Sequence, residues 1–266
     1  MCSRSRSSRS SARASPSSTP DITYSFYPVW CDLFRIPYET VPLDESFCVN
    51  LRDYDKPNGG VILPNPNAPT GRVRHARGDR GSACSTTPDC VVIIDEAYVD
   101  FGAQSAIPLL DKVRKPAGRA DHEQIPFARG HALSATRFGS ETLISTLEAV
   151  KNSYNSYTMD SLALAVGEAS IRDEAYFRET CRKVAATRDR AADELRALGF
   201  EVTPSLANFL FATHPKKAAP EIFAALREKG IFIRYFKLPR IDNHLRITVG
   251  TDEQMDALIA ALKQIL

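Results

Sequence analysis

Cys90-Val91-Val92-Ile93-Ile94-Asp95-Glu96-Ala97-Tyr98-Val99-Asp100-Phe101 is the stretch on which the fold turns. Cys90 to Ile94 is an apolar run with no polar alternation. Such a run predicts a strand buried on both faces, as in the parallel sheet of an α/β protein. It ends at Asp95, and in open α/β sheets ligands sit beyond the carboxyl ends of the strands. One step outward, Gly60 to Pro64 (GVILP) has the same character and runs into the turn-rich Asn65-Pro66-Asn67-Ala68-Pro69-Thr70-Gly71.

Towards the C-terminus the pattern changes. Leu143–Val150 and Ser161–Ile171 have helical periodicity, and a long helix is predicted from about Asp173 to Leu198, closed by Gly199. The order is then strand (Asn208–Ala212), helix (Pro220–Lys229), Gly230, strand (Ile231–Tyr235), strand (His244–Val249) and a final helix from Asp252. Thr251 is placed to cap that helix, with Asp252 and Glu253 favourable in its first turn. This alternation predicts a compact α+β unit over 173–266 behind a mostly parallel sheet, with helices on both faces, in 21–172.

The 266 residues are 43% hydrophobic, enough for one large core or two modest ones. Lys and Arg total 34 against 32 Asp and Glu, which argues against wholesale nucleic-acid binding. Cys2, Cys31, Cys48, Cys84, Cys90 and Cys181 are irregularly spaced and form no C-x-x-C pair, so neither a metal site nor a redox motif is indicated. No apolar run reaches the ~18 residues of a membrane span, and Met1 to Pro20 has no apolar secretion segment. A cytoplasmic enzyme is expected. Three stretches lack hydrophobic periodicity: 1–20 is almost entirely Ser, Arg, Ala and Pro, while 73–87 (VRHARGDRGSACSTT) and 113–138 (VRKPAGRADHEQIPFARGHALSATRF) are basic. Residues 1–20 are expected to be disordered, and the other two to interrupt the large domain.

Ile22 to Tyr27 (ITYSFY), Asn65 to Gly71 (NPNAPTG), Asp95 to Tyr98 (DEAY) and Leu245 to Thr251 (LRITVGT) together resemble one family, the histidinol-phosphate aminotransferases, which are class I/II, fold-type I enzymes dependent on pyridoxal 5'-phosphate. Ile22-Thr23-Tyr24-Ser25-Phe26-Tyr27 is similar to the segment whose first tyrosine stacks on the cofactor ring. Asn65 to Gly71 resembles the N-P-T-G turn. Asp95-Glu96-Ala97-Tyr98 resembles the D-E-A-Y motif, and Leu245-Arg246-Ile247-Thr248-Val249-Gly250-Thr251 the L-R-I-T-x-G-T segment. Singly, D-E-A-Y reads as a helix start and L-R-I-T-V-G as an ordinary strand; order and spacing give the set its specificity.

The resemblance implies that Tyr24, Asn67, Asp95 and Tyr98 bind cofactor and that Arg246 binds the substrate carboxylate. Physical chemistry suits these roles: a carboxylate keeps a pyridine nitrogen protonated, a phenol tunes the ring oxygen, and an arginine forks onto a carboxylate. The family often has asparagine immediately before P-T-G. Here that place is Ala68, so Asn67 takes the role by proximity. The implied partners are an amino-acid substrate, 2-oxoglutarate and a second copy of the chain as a homodimer, with no nucleic acid and no membrane.

The resemblance also implies a lysine, in an S-K-S-R-S-L-A-G segment beyond D-E-A-Y, that forms the Schiff base with the cofactor. That place falls in 113–138. Arg129 lies nearest in a gapped match, and arginine stays protonated and cannot be the amine nucleophile. Lys112 and Lys115 precede the expected spot. No residue qualifies as the catalytic lysine, so the chain as written is expected to be inactive.

Codons permitted for Val113 to Leu133, read with one base dropped, spell YENLLVVQTTSKSRSLAGMR. This is an apolar strand followed by the missing segment, and the lysine codon straddles those of Gln124 and Ile125. Met1 to Pro20, shifted by two bases, can spell VLALAFIAFFRPGQPVLYP and run into Asp21. Val73 to Ser82, shifted by one, can spell SVTLAEIEAL, which opens on a T-x-x-E capping box. Wobble bases are free in this exercise, yet each position admits only a few amino acids. The three stretches are therefore expected to be one gene read out of frame. The competing view makes them genuine, an Arg/Ser tail like those of RNA-binding proteins and two basic loops; compact domains rarely hold patternless loops of this length. A non-catalytic homologue that binds cofactor or a partner is the alternative function.

Overall fold

A computed structural model describes residues 15–73, 91–109, 127–131, 134–157 and 159–266, with backbone alone for 109, 127–131 and 134–138. Strand β1 (Ser17–Pro20) is followed by helix α1 (Phe26–Leu33) and strand β2 (Tyr38–Val41), and β1 and β2 pair in parallel from Ser17↔Tyr38 to Pro20↔Val41. Strand β3 (Gly60–Pro64) returns on the other side of β1, and β4 (Val92–Asp95) pairs with it in parallel, Leu63↔Ile94 and Pro64↔Asp95. Two further strands, β5 (Phe127–His131), parallel to β4, and β6 (Ser134–Phe138), antiparallel to β5, complete the order β2-β1-β3-β4-β5-β6. Strand order reverses between β1 and β3, and that reversal opens a crevice at the carboxyl ends. Val41, Leu51, Tyr54, Val61, Leu63, Val92 and Ile94 form the core there.

Two expectations are corrected here. Residues 17–20, assigned to a disordered segment, are the strand between β2 and β3. Ser and Thr have little preference for a buried strand, but two neighbouring strands override local propensity. The mismatch leaves a mark: Ser18 and Thr19 are buried, Ser18 donates to Glu39 at 3.0 Å, and the buried Thr19 hydroxyl has no partner among the described residues. Likewise 113–138, expected to interrupt the large domain, contributes β5 and β6 to its sheet, because the edge of β4 can be met by backbone whatever the side chains. Helix α1 also went unanticipated. Its aromatic run resembles a loop, and Pro28 is tolerated because it sits in the first turn.

Helices α2 (Glu141–Tyr154) and α3 (Ser161–Arg172) are capped by Ser140 and Asp160, and the long α4 (Glu174–Ala197) by Asp173. Gly199 ends α4 at φ +90°, where a side chain would be strained and a Cβ would press on His214 at 3.3 Å. Then come β7 (Glu201–Val202), β8 (Phe209–Thr213), α5 (Ala219–Glu228), β9 (Arg234–Tyr235), β10 (Leu245–Thr248) and α6 (Asp252–Ile265). The strands form an antiparallel sheet, β7-β8-β10-β9. Thr251 and Gln254 make a full capping box on α6. The strand predicted over Ile231–Tyr235 is shorter, since the Ile231 amide is used on Leu226 O to close α5.

Period-two alternation in β8 serves two sides. Leu210 and Ala212 join Leu195, Ile222, Leu226, Leu245, Ile247 and Leu258 in the C-terminal core. Phe211 instead packs with Ile22, Leu43 and Ile241, and Phe209 with Ala68 and Ala207. Arg246, between Leu245 and Ile247 on β10, is thereby turned to the side of Phe209.

Candidate active site

The loops that follow β1, β3 and β4 converge on the crevice. After β1, Asp21 Oδ1 accepts the Ile22 and Leu43 amides, each at 2.9 Å, which fixes the turn into Tyr24. The Tyr24 ring stacks on Phe26 (5.6 Å) and meets Tyr27 (5.5 Å) and Trp30 (6.1 Å) edge-on. After β3, Asn67 is buried and its side chain is committed: it accepts from Thr23 Oγ1 (3.0 Å) and donates to Ile22 O (2.9 Å) and Thr70 Oγ1 (3.1 Å). Asn67 thus stitches the β1 and β3 loops together. Gly71, at φ +70°, lies so close to Ser205 that a Cβ would overlap its hydroxyl, and the Leu206 amide donates to Gly71 O at 3.1 Å.

At the end of β4, Asp95 Oδ1 accepts the Ala97 amide (3.0 Å) and Oδ2 the Tyr27 hydroxyl (2.7 Å). Burial first, and then the Asp95 charge, hold the Tyr27 phenol far above its ordinary value. The next residue, Glu96, is fully buried and holds the far end of its own loop, accepting from Ser105 Oγ (2.7 Å) and the Ala106 amide (2.6 Å). Tyr98 lies edge-on to Phe209 at 5.1 Å. Its phenol is raised by burial; Asp95 and Tyr24 add to this, and Arg246 opposes it. The Arg246 guanidinium sits 5.2 Å over Phe209, and its buried Nε has no partner among the described residues.

Tyr24, Asp95, Tyr98 and Arg246 therefore share one site, with Asn67 behind it. Sequence reasoning assigned no role to Tyr27, Thr23 or Glu96. All three stand inside the quoted motifs, but their partners lie far away in the chain. Lys112, Lys115 and the Gln124–Ile125 junction fall outside the described residues. The backbone of Arg129 pairs with Thr136, one residue past Ala128, the register partner of Asp95.

The donor set suits a flat, protonated nitrogen heterocycle with a ring oxygen. Asp95 retains acceptor capacity on a partly exposed carboxylate, Tyr24 and Tyr98 are aromatic neighbours, and the orphaned Arg246 Nε awaits an anion. The pattern of the family described as "Aminotransferase class I and II" matches residues 14–262. The chain belongs to this family, whose members use pyridoxal 5'-phosphate.

Among its relatives are histidinol-phosphate aminotransferase 2 of Dechloromonas aromatica, 50% identical over 92% of this chain and 69% of the relative, and histidinol-phosphate aminotransferase 1 of Bordetella parapertussis, 49% identical with the same coverage. The chain is thus a homologue of histidinol-phosphate aminotransferases. The fold agrees. The Sinorhizobium meliloti histidinol-phosphate aminotransferase, solved in complex with pyridoxal-5'-phosphate, superposes with a TM-score of 0.80 at 24% identity, over 95% of this chain and 70% of that one. The N-succinyldiaminopimelate aminotransferase of Mycobacterium tuberculosis gives 0.74 at 22% identity, over 95% and 72%.

Proposed function

We propose that this chain is built for amino transfer between histidinol phosphate and 2-oxoglutarate, giving imidazole-acetol phosphate and glutamate in histidine biosynthesis, and that as written it binds the reactants without turning them over. The convergence of Tyr24, Asp95, Tyr98 and Arg246 at the carboxyl ends of the sheet carries this reading. When bound, the cofactor supplies an electron sink for the substrate's α-carbon. Asp95 would keep the proton on the cofactor's ring nitrogen by charge pairing, and the Tyr27 hydroxyl orients that carboxylate. Tyr24 would pack against the ring. Tyr98, whose phenol is raised by burial, would donate to the ring oxygen. Arg246 would take the substrate carboxylate with its guanidinium fork.

The proton on the α-carbon needs a neutral amine to receive it. Arg129, the nearest residue in a gapped match to the lysine segment, cannot supply one. No helix among the described residues is long and apolar enough to cross a membrane; a cytoplasmic location and a homodimeric assembly are proposed on the family resemblance. The displaced reading of 113–133, which restores S-K-S-R-S-L-A-G, is the economical account of the loss.

Two preparations test this. The chain as written, incubated with pyridoxal 5'-phosphate and reduced with borohydride, is expected to gain no cofactor mass and to show negligible transamination. The chain carrying YENLLVVQTTSKSRSLAGMR in place of 113–133 is expected to gain one cofactor and at least ~100-fold in rate, the low end of what a positioned general base contributes. Covalent labelling and turnover by the unaltered chain would overturn the inactivity. Resequencing the locus then separates a recording error from gene decay.

A further inference from the structure

Among the residues whose side chains are described, Arg188 is the only Lys or Arg that is buried. It lies in α4, whose buried face otherwise carries Thr187, Ala191, Ala192 and Leu195. A guanidinium is costly to bury unless acceptors meet its donors. Here Nη1 donates to Phe101 O at 2.8 Å and Ala207 O at 3.1 Å, and Nε donates to the Asp189 carboxylate at 2.9 Å. The first two acceptors come from opposite halves of the chain. Phe101 closes the 3-10 turn Val99–Phe101 directly after Tyr98, and Ala207 leads into β8 just before Phe209.

Those two carbonyls bracket the contact on which the site depends. Tyr98 meets the edge of Phe209, and Arg246 lies over the same ring. The Tyr98 loop has a second buried anchor in Glu96, at its far end, so Arg188 governs only the stretch nearest Tyr98. One cation therefore joins the loop bearing the phenol to the strand that supports the carboxylate clamp. We propose that Arg188 is a positioning residue that sets the placement of Tyr98 relative to Arg246 by pinning the Phe101 and Ala207 carbonyls to a single guanidinium. The tie to substrate binding rests on the function proposed above; the pinning of the loop does not.

The planar fork matters, because a lysine at this place has a point charge and a flexible stem and holds the two carbonyls less rigidly. The test compares the full-length chain with Arg188→Met and Arg188→Lys, first by amide hydrogen exchange without cofactor. Arg188→Met is expected to speed exchange about tenfold in 97–106 and 205–208 while α6 keeps its protection, and Arg188→Lys to fall between. Unchanged exchange in 97–106, or an equal rise in α6, would overturn the pinning.

The second arm loads each protein with pyridoxal 5'-phosphate and titrates 2-oxoglutarate, read by the fluorescence of Trp30, the single tryptophan, which lies edge-on to Tyr24. Arg188→Met is expected to weaken 2-oxoglutarate about tenfold, with recovery in Arg188→Lys, and to add little to Arg246→Met in the double variant. Independent, multiplying effects would sink the link to the clamp. If the unaltered chain does not bind the cofactor, the proposed function fails while the exchange experiment still decides the role of Arg188.

Discussion

The two sheets of this molecule are built to different standards. In the antiparallel sheet and its helices, local and long-range signals agree. Asp173 caps α4, Gly199 ends it, Thr251 and Gln254 cap α6, and the alternation of β8 and β10 delivers Leu210, Ala212, Leu245 and Ile247 to one core. In the parallel sheet the second strand in spatial order is Ser-Ser-Thr-Pro, with a buried hydroxyl that bonds to nothing described. Nearby, Val29, Trp30, Leu33 and Phe34 of α1 and its end are exposed. A sequence specifies a structure when every level points the same way. The C-terminal unit meets that test, and β1 owes its place to its neighbours alone. The displaced reading of 1–20 ends V-L-Y-P, which would put apolar side chains at Ser17, Ser18 and Thr19.

The contrast can be attacked at its strong side first. Leu195→Ala removes a side chain with no exposed surface at the centre of the C-terminal core. The expected loss is about 2–5 kcal/mol in denaturant melts, as for other buried leucines; a loss below about 1 kcal/mol would mean that this core is no better packed than the other.

At the weak side, Thr19→Val exchanges an unsatisfied buried hydroxyl for a methyl of similar shape. Stability is expected to rise by about 1–2 kcal/mol, because the penalty for an unpaired buried hydroxyl disappears. An unchanged or lower midpoint would show that the strand is not seated as described.

The smallest effect is a pH dependence. Tyr27 and Tyr54 are buried phenols, both raised above their ordinary value chiefly by desolvation. A phenol with a raised folded pKa stabilises fully below the unfolded value of about 10, and that contribution is lost as pH climbs above it, by up to ~1.4 kcal/mol per pH unit for each group. Tyr27→Phe is expected to lower the steepness of alkaline unfolding and to leave the shares of Tyr54 and Tyr98. An unaltered slope would place Tyr27 in water.

Much of this was legible before any coordinates. Strands β3 and β4 are short apolar runs, and Asp95 stands at the carboxyl end of the second, where sheets bind ligands. Tyr98 and Arg246 were singled out only by the resemblance of their motifs to a family, and their approach to Asp95 depends on Phe209, a residue far from both in the chain. What escaped notice depends on partners distant in sequence. Ser17–Pro20 becomes a strand only because β2 and β3 lie on either side. Tyr27 is one aromatic among several until it donates to Asp95, and Arg188 is an ordinary helix arginine until Phe101 and Ala207 close around it. The Ile231–Tyr235 run has strand composition throughout, yet its first amide is claimed by the helix before it.

Strand β8 bears on how such a gene tolerates damage. Its odd and even positions serve different masters, Phe209 and Phe211 facing the ligand side and Leu210 and Ala212 the C-terminal core. A loss of three bases in the short connection from β7 would preserve the reading frame and every residue of Phe-Leu-Phe-Ala. If the strand then slid by one place, both sets would trade sides at once. The mildest lesion by the measure of translation would be among the harshest by the measure of packing, so the segment 203–208 is expected to keep its length wherever a working copy of this enzyme survives.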